Sequence, residues 1–430
     1  MSQFLSDMRA RSLVQQVTDE QGLEQHLSTG GADRKAYVGF DPTADSLTIG
    51  NLVGIMSLAR FQRAGHTPFA LMGGATGLIG DPSGKSAERT LNTREVVEAN
   101  VKRIERIFDG ILDFSPAISN RARMVNNIDW LGNMGFLEAL REIGKHFSVN
   151  MMIQKDSVKE RLNNRDQGIS YTEFSYMLLQ GYDFAHLCEK QGVTLQMGGS
   201  DQFGNIVVGG DLIRRRATTQ AQAFGLTWPL VTKADGTKFG KTESGAIWLT
   251  ADRTSPYAYY QFWLNAADAD VIRLLKTYTF LSKAEIDQLE QSVATNPGAR
   301  DAQRALAQHA TKILHGEPAM LEAERAGKAV FSGDIAGLSL EVLTDAFGAL
   351  PRKAVPKDKL TAGLPLLDTL VETGLASSKR EAKEFVQAGA VTINGRKVGA
   401  EDLVSSKDLL HGKMMVMKRG KKNTVVLDAV

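Results

Sequence analysis

Cysteine is almost missing from this chain of 430 residues: Cys188 is the only one. That excludes an intrachain disulfide framework and a cysteine-rich zinc site, and it suits a reducing compartment. Long apolar runs are also missing. No stretch approaches the ~20 consecutive apolar residues of a membrane span, so no membrane partner is expected. The opening MSQFLSDMRARSLVQQ mixes charges of both signs and has no apolar core of the kind a signal peptide carries, which leads to a cytoplasmic expectation. Histidines are scattered, and His186 and Cys188 stand two apart, off one helical face, so no metal site is expected. The chain has no Gly-x-Ser-x-Gly elbow. It lacks a strong net charge as well, with 51 basic residues against 49 acidic ones and 43% apolar residues, a globular balance. Its length predicts two or three domains.

The near-balance hides an uneven distribution. Residues 365–430 hold 11 Lys and Arg against 8 Asp and Glu, a net of +3, which leaves the first 364 residues at −1. Lys413, Lys418, Arg419, Lys421 and Lys422 meet no acidic residue before Asp428. Two readings stand: a solubilising tail, or a contact with a phosphate backbone.

Apolar spacing predicts strands at residues 36–40, 67–72, 122–126, 193–197 and 226–231, and helices at 49–64, 92–108 and 172–187. Strand, loop and helix thus recur, which indicates an α/β fold with a parallel sheet and ligands at the carboxyl ends of its strands. From residue 255 to about 333 the pattern is mainly helical. Residues 351–363, PRKAVPKDKLTAG, have the Pro, Lys and Gly content of a linker. Beyond them come two short helices, 366–373 and 379–388, the second opened by Ser378 and Glu381 as a capping box. Asn394-Gly395 between AVTI and RKV is then a strong hairpin signal.

Three segments carry chemistry. GGATGLIGDPSGK (residues 73–85) is not a Walker A loop, because Ile79 stands where that pattern needs its first glycine. Its glycines serve either tight turns alone or a ligand site, for which Asp81, Lys85 and Arg89 offer one carboxylate and two cations to an amino group and phosphates. Lys233, Lys238 and Lys241, with Thr242, form a second cationic run that is either an ordinary surface hairpin or a grip on a polyphosphate. In the 172–187 helix, Tyr176, Gln180 and Asp183 fall on one face of an otherwise apolar element. Buried polar groups need partners, so this stripe meets either protein groups or a ligand.

GFDPTADSLTIGN (39–51), GGATGLIGDPSGK, TEFSYMLLQGYDF (172–184), LQMGGSDQFGN (195–205) and KADGTKFGKTESG (233–245) occur in this order, and from about residue 30 onward the chain resembles the bacterial tyrosyl-tRNA synthetases, class I aminoacyl-tRNA synthetases. The resemblance implies a Rossmann-like parallel-sheet catalytic domain over 1–250, an α-helical anticodon-side domain over 251–350, a linker over 351–364, and a small α+β RNA-binding domain of the ribosomal protein S-four type over 365–430. It implies activation of L-tyrosine with ATP, carried with Mg2+, to tyrosyl-adenylate and pyrophosphate, then transfer to the 3′ end of tRNA(Tyr), by a homodimer. Matched residue by residue, Tyr37 and Asp183 would bond the substrate phenol, Tyr176, Gln180 and Asp81 its amino group, and Gln196 completes the tyrosine set. Gly39, Asp41, Gly50, Asn51, Gly199, Asp201 and Gln202 match the surroundings of ATP and the adenylate, and Thr43 matches a γ-phosphate contact. Lys238, Lys241 and Thr242 match a loop that stabilises departing pyrophosphate, with Lys85 and Arg89 in a similar role. A site that pairs with a phenol should reject phenylalanine strongly, a discrimination for which this family is itself the standard example.

One departure bears on the chemistry. Where the family usually has His-Ile/Leu-Gly-His/Asn, this chain has Thr48-Ile49-Gly50-Asn51. Asn51 is a familiar variant, but Thr48 is shorter than histidine and cannot carry positive charge toward the γ-phosphate. Losing one transition-state donor typically costs about 3 to 4 kcal/mol, so partial compensation by Thr43 and the lysines is expected. Val38 stands where the family often has a cysteine, with a small effect expected, and Phe203 replaces a frequent tryptophan. Two rivals follow: a degenerate synthetase kept as an RNA-binding protein with weak or no aminoacylation, and the related tryptophanyl enzyme, whose indole substrate suits Tyr37 and Asp183 less well than a phenol does.

Overall fold

The computed structural model describes residues 2–29, 33–83, 91–155, 158–159, 162, 168–216, 222–232, 239–242, 245–348, 350–420 and 423–430. Two compact units divide the chain: Met1–Thr254 with Ala266–Leu314, and Ser255–Asn265 with His315–Val430.

The first unit is built on a six-stranded sheet. Its strands are β1 (Gln16–Val17), β2 (Lys35–Phe40), β3 (Thr67–Met72), β4 (Arg123–Asn126), β5 (Leu195–Gly199) and β6 (Phe224–Trp228), ordered β1-β6-β5-β2-β3-β4 across the sheet. β1 runs antiparallel to β6 and the other pairings are parallel. Every residue of β3 is buried, as befits a parallel strand covered on both faces. The helix Ile49–Arg63 connects β2 to its neighbour β3, while the other neighbour of β2 is β5. Strand order therefore reverses between β2 and β5, and the crevice beyond their carboxyl ends is where an open α/β sheet takes ligands.

The expected elements are present with shifted ends. β5 starts two residues late because Gly192, at φ 70, ends the preceding Tyr171–Gln191 helix in a left-handed cap and Val193 still donates to Leu187 O. β6 stops at Trp228, before Pro229, which has no N–H for a ladder. The helical run after residue 255 is interrupted: Gly316 takes φ 82 inside Asp301–Ser332, two residues before Pro318. The two units also divide that region away from the 250 and 350 boundaries, since helices Asp268–Tyr278 and Lys283–Thr295 fall in the first unit. Buried guanidinium groups account for the first of these. Arg60 donates to Lys276 O, Thr277 O and Thr279 O at 2.8–3.1 Å, and Arg11 to Lys276 O, Thr279 O and Leu281 O at 2.8–3.2 Å, cations set on the carboxyl end of a helix.

In the second unit, β9 (Arg352–Val355), β11 (Val391–Ile393), β12 (Arg396–Lys397), β14 (Met414–Arg419) and β15 (Asn423–Ala429) form a sheet ordered β12-β11-β14-β15-β9, and β10 (Leu364–Pro365) pairs with β13 (Leu403–Val404). Asn394 and Gly395, at φ 48 and 85, make the β11–β12 hairpin turn that their identity predicts. The linker expected over 351–363 is instead folded. Arg352–Val355 lies parallel to β15 in register from Val426 to Ala429, Lys357–Ala362 is a helix, and Leu360 is fully buried in the core with Leu366, Leu370 and Leu427. Composition measures local polarity, and the partner of β9 lies more than seventy residues away. The capping reading is modified in detail: Ser378 Oγ accepts from Glu381 N, but the Glu381 carboxylate returns to Ser377 N rather than to Ser378.

Candidate active site

Tyr37 on β2 stands opposite Gln196 on β5, in register, at the point where strand order reverses. Both are buried, and the Tyr37 hydroxyl and Gln196 Oε1 have no hydrogen-bond partner among the described residues. Each such orphan costs about 1–3 kcal/mol, which a ligand with its own donor and acceptor would recover. Burial first, and then the charge of Asp183, holds the Tyr37 hydroxyl well above the usual phenol range, so it stays protonated and able to donate.

Asp183 reaches the same region from the Tyr171–Gln191 helix. Asn127 Nδ2 donates to its Oδ2 at 2.9 Å and Trp130 Nε1 to its Oδ1 at 2.8 Å. Burial pushes the carboxyl up to about 7, against the opposing pull of those two bonds. Asn127 also donates to Thr76 Oγ1, whose hydroxyl donates to Asp41 Oδ1 at 2.8 Å, and the Tyr176 hydroxyl donates to Asp41 Oδ2 at 2.8 Å. A second chain runs alongside. Gln202 Nε2 donates to Asp81 Oδ2 at 2.7 Å, Gln180 Nε2 to Gln202 Oε1 at 3.3 Å, and Asn205 Nδ2 to Gln180 Oε1 at 2.9 Å. Each member of the polar stripe Tyr176, Gln180 and Asp183 therefore has a protein partner.

The backbone makes room for this network. A Cβ at Gly73 would lie 2.0 Å from Asp41 Oδ1, so the glycine-rich loop keeps glycine there to let that carboxylate approach. Gly39 is exposed between buried Val38 and Phe40, an open point on the upper part of β2. Gly199 ends β5, and Asp201, exposed, and Gln202 follow in a single 3-10 turn.

The first turn of Ile49–Arg63 follows the carboxyl end of β2 after residues 41–48. Thr48 is its N-cap, and the Thr48 N–H and hydroxyl both donate to Asn51 Oδ1 at 3.0 Å. Gly50 is exposed at this helix start. Thr43 is exposed on the preceding loop, its N–H donating to Asp41 O. Lys241 and Thr242 form a short strand, β7, paired with β8 (Gly245–Ala246). Lys85, Arg89, Lys233 and Lys238 lie outside the described residues. Among the described residues no three His, Cys, Asp or Glu side chains group as a metal site.

Sequence spacing does not single out Asn127, Trp130, Thr76 or Asn205. A usable signal exists for the first two, since NIDW (127–130) follows directly from a predicted strand, and residues just past a parallel strand's carboxyl end line the crevice.

Comparison with known proteins bears on the chain as a whole. The family model described as tRNA synthetases class I (W and Y) matches residues 29–332, and that of the tyrosine-tRNA ligase SYY-like C-terminal domain matches 345–427. The chain is similar to the tyrosine-tRNA ligase of Geobacillus kaustophilus (strain HTA426), 52% identical over 97% of this chain and 98% of that one. It is 51% identical to the tyrosine-tRNA ligase of Chromobacterium violaceum over 99% and 98% respectively. Among solved structures, a C-terminally truncated Aspergillus nidulans mitochondrial tyrosyl-tRNA synthetase matches with a TM-score of 0.67 at 30% identity, covering 76% of this chain and 94% of that one.

Proposed function

The chain belongs to the class I tRNA synthetases, among the tyrosine-tRNA ligases, and from that premise we propose which residues carry each step. The enzyme activates L-tyrosine with ATP and transfers it to tRNA(Tyr), the reading that the full-length relatives favour over a degenerate RNA-binding protein. The observation that supports the site assignment is the pair of orphan polar atoms, Tyr37 Oη and Gln196 Oε1, near the Asp183 charge at the β2–β5 reversal.

The substrate phenol donates to the Asp183 carboxylate and accepts from the Tyr37 hydroxyl. The amino group lies against Tyr176, Gln180 and Asp81, and Gln196 completes the pocket. The tyrosine carboxylate attacks the α-phosphate in line and pyrophosphate leaves with no covalent enzyme intermediate, so catalysis rests on positioning and charge stabilisation. ATP meets the first turn of Ile49–Arg63, where the positive end of the helix dipole favours phosphate and Gly50 is exposed. The Asn51 amide oxygen is committed to Thr48, which turns its NH2 outward as the donor. Gly39, Asp41, Gly199, Asp201 and Gln202 surround the adenylate. Thr43, Lys85, Arg89, Lys238, Lys241 and Thr242 hold the phosphates, and Mg2+ arrives on the phosphates of ATP itself.

By span, tyrosine and ATP belong to residues 1–250, while 251–350 and the basic 365–430 segment serve tRNA. On this reading the enzyme works in the cytoplasm, where its tRNA substrate is used. It works as a homodimer. Phe136, Leu137, Leu140, Val149 and Ile153, on helices Phe136–Glu142 and Val149–Met152 and just beyond, are exposed apolar residues, with Leu137 at 75%. Exposed apolar side chains this numerous in one short segment support a protein partner there. Sedimentation should give a dimer for the wild type and a monomer for Leu137→Asp.

The decisive assay is ATP-pyrophosphate exchange. It should depend on tyrosine, and Tyr37→Phe should lower kcat/KM for tyrosine about tenfold, from one missing hydrogen bond, with KM for ATP unchanged. Exchange absent from the purified wild type would instead support the RNA-binding reading.

A further inference from the structure

Tyr278 belongs to none of the sets named so far. It closes the helix Asp268–Tyr278 and is fully buried, yet its hydroxyl donates 3.2 Å to Ile49 O, in the first turn of the Ile49–Arg63 helix. Ile49 lies one residue after Thr48 and two before Asn51. On its other side, the Tyr278 ring stacks on Phe239, with centroids 6.1 Å apart and planes at 25°. Phe239 lies two residues before Lys241. One side chain therefore touches both segments that the proposed mechanism sets against the phosphates.

Those segments are joined to each other by backbone as well. Ile49 N donates to Ile247 O at 3.1 Å, Ile247 N to Gly240 O at 3.0 Å, and Leu249 N to Leu47 O at 2.9 Å. Thr48 and Trp248 form an antiparallel bridge in the same ladder. Gly240 has φ +81, and a Cβ there would come within 2.3 Å of Ile49 Cγ2, so the lysine segment presses directly on the helix start. The helix that bears Tyr278 is in turn fastened by Arg60, which belongs to the Ile49–Arg63 helix itself and donates to Lys276 O, Thr277 O and Thr279 O. Tyr278 thus projects from an anchored base into a junction of two short segments.

We propose that Tyr278 is a positioning residue for the activation step: it holds the Asn51-bearing turn and the Lys241-bearing strand in one frame, at the separation that the leaving pyrophosphate needs. This rests on the reading that Asn51 and Lys241 face the phosphates. A misplacement of about 1 Å can cost about 100-fold in rate. The tyrosine pocket draws on β2, β5 and the Tyr171–Gln191 helix rather than on these two segments, so binding of tyrosine should not feel the loss of Tyr278.

The test uses the full-length enzyme with Tyr278→Phe, which keeps the ring and drops the hydroxyl, and Tyr278→Leu, which drops both. Exchange is measured with its kcat and both KM values. Single-turnover transfer of tyrosine from preformed enzyme-bound adenylate to tRNA is measured in parallel, because pyrophosphate has already left by then. Tyr278→Phe should lower exchange kcat about 5- to 10-fold, and Tyr278→Leu should lower it about 100-fold, with KM for tyrosine and the transfer rate unchanged. Exchange at the wild-type rate in Tyr278→Phe would overturn the proposal. So would transfer and KM for tyrosine worsening in step with exchange, since that describes general packing damage. Lys241→Ala separates the two levels: if it leaves exchange intact, the reading of the lysine segment fails, whereas if it lowers exchange while both Tyr278 variants are normal, only the inference about Tyr278 fails.

Discussion

Asp183 is a carboxyl group whose charge is both needed and resisted. Burial drives it up to about 7, while Asn127 and Trp130 donate to the ionised form and hold it down. A phenol O–H gains most from an ionised acceptor, so tyrosine binding favours the deprotonated site, and affinity should fall as pH drops through the carboxyl's range. KM for tyrosine in pyrophosphate exchange is expected to rise by up to about tenfold per unit as pH falls below about 7, with KM for ATP following a different course. Trp130→Phe removes a bond to the charged form, so its carboxyl should titrate higher and the rise in KM should begin at a higher pH. A profile that is flat, or that moves to lower pH in Trp130→Phe, would remove Asp183 from the phenol site. At this scale the sequence marks Asp183 and Tyr176 through their spacing on a helix but leaves their partners open, because Asn127, which donates to Asp183, lies 56 residues away and Asp41, which accepts from Tyr176, lies 135 residues away. Thr48 is a further case. Its difference from histidine is visible in the sequence, but its bond to Asn51, which gives the threonine a local task, is not.

Elements are legible where their pattern is local. The alternation of strand and helix appears as buried parallel strands, and Asn394-Gly395 turns as two residues with positive φ must. Residues 351–363 resemble a linker in sequence because a strand is defined by its neighbour, and β9 finds β15 only once the chain has almost ended. Leu360 is the apolar residue in KDKLTA that a linker would leave exposed, whereas here it is fully buried. Leu360→Ala should therefore destabilise the second unit by about 2–5 kcal/mol through the missing transfer energy and a residual cavity. Urea unfolding followed by a probe in residues 350–430 would detect this, and a change under about 0.5 kcal/mol would mean the helix is peripheral. Exchange should persist in the variant, since none of the residues assigned to tyrosine or ATP lies there.

Taken over the whole molecule, charge does what no single element does. The +2 total is the sum of a slightly acidic body and a basic C-terminal segment, so near-neutrality is the wrong quantity for judging affinity for RNA. Several cations of that segment are already committed, Lys379 to Asp368, Arg380 to Glu384, and Arg396 to Asp402 and Asp408, which leaves the charge count an overstatement of what RNA meets. Lys383, Lys397 and Lys413 are exposed and better placed to meet phosphates. Pairing of that sort releases counterions, so its contribution weakens with salt. Lys397→Ala and Lys413→Ala should each raise KM for tRNA and flatten its log–log dependence on salt by about 1 for every phosphate no longer neutralised, leaving tyrosine-dependent exchange at the wild-type rate. If aminoacylation by both variants keeps the wild-type salt slope, the basic excess is a solubilising surface. The selection of tRNA would then rest on the helices of 251–350, whose sequence carries no comparable excess.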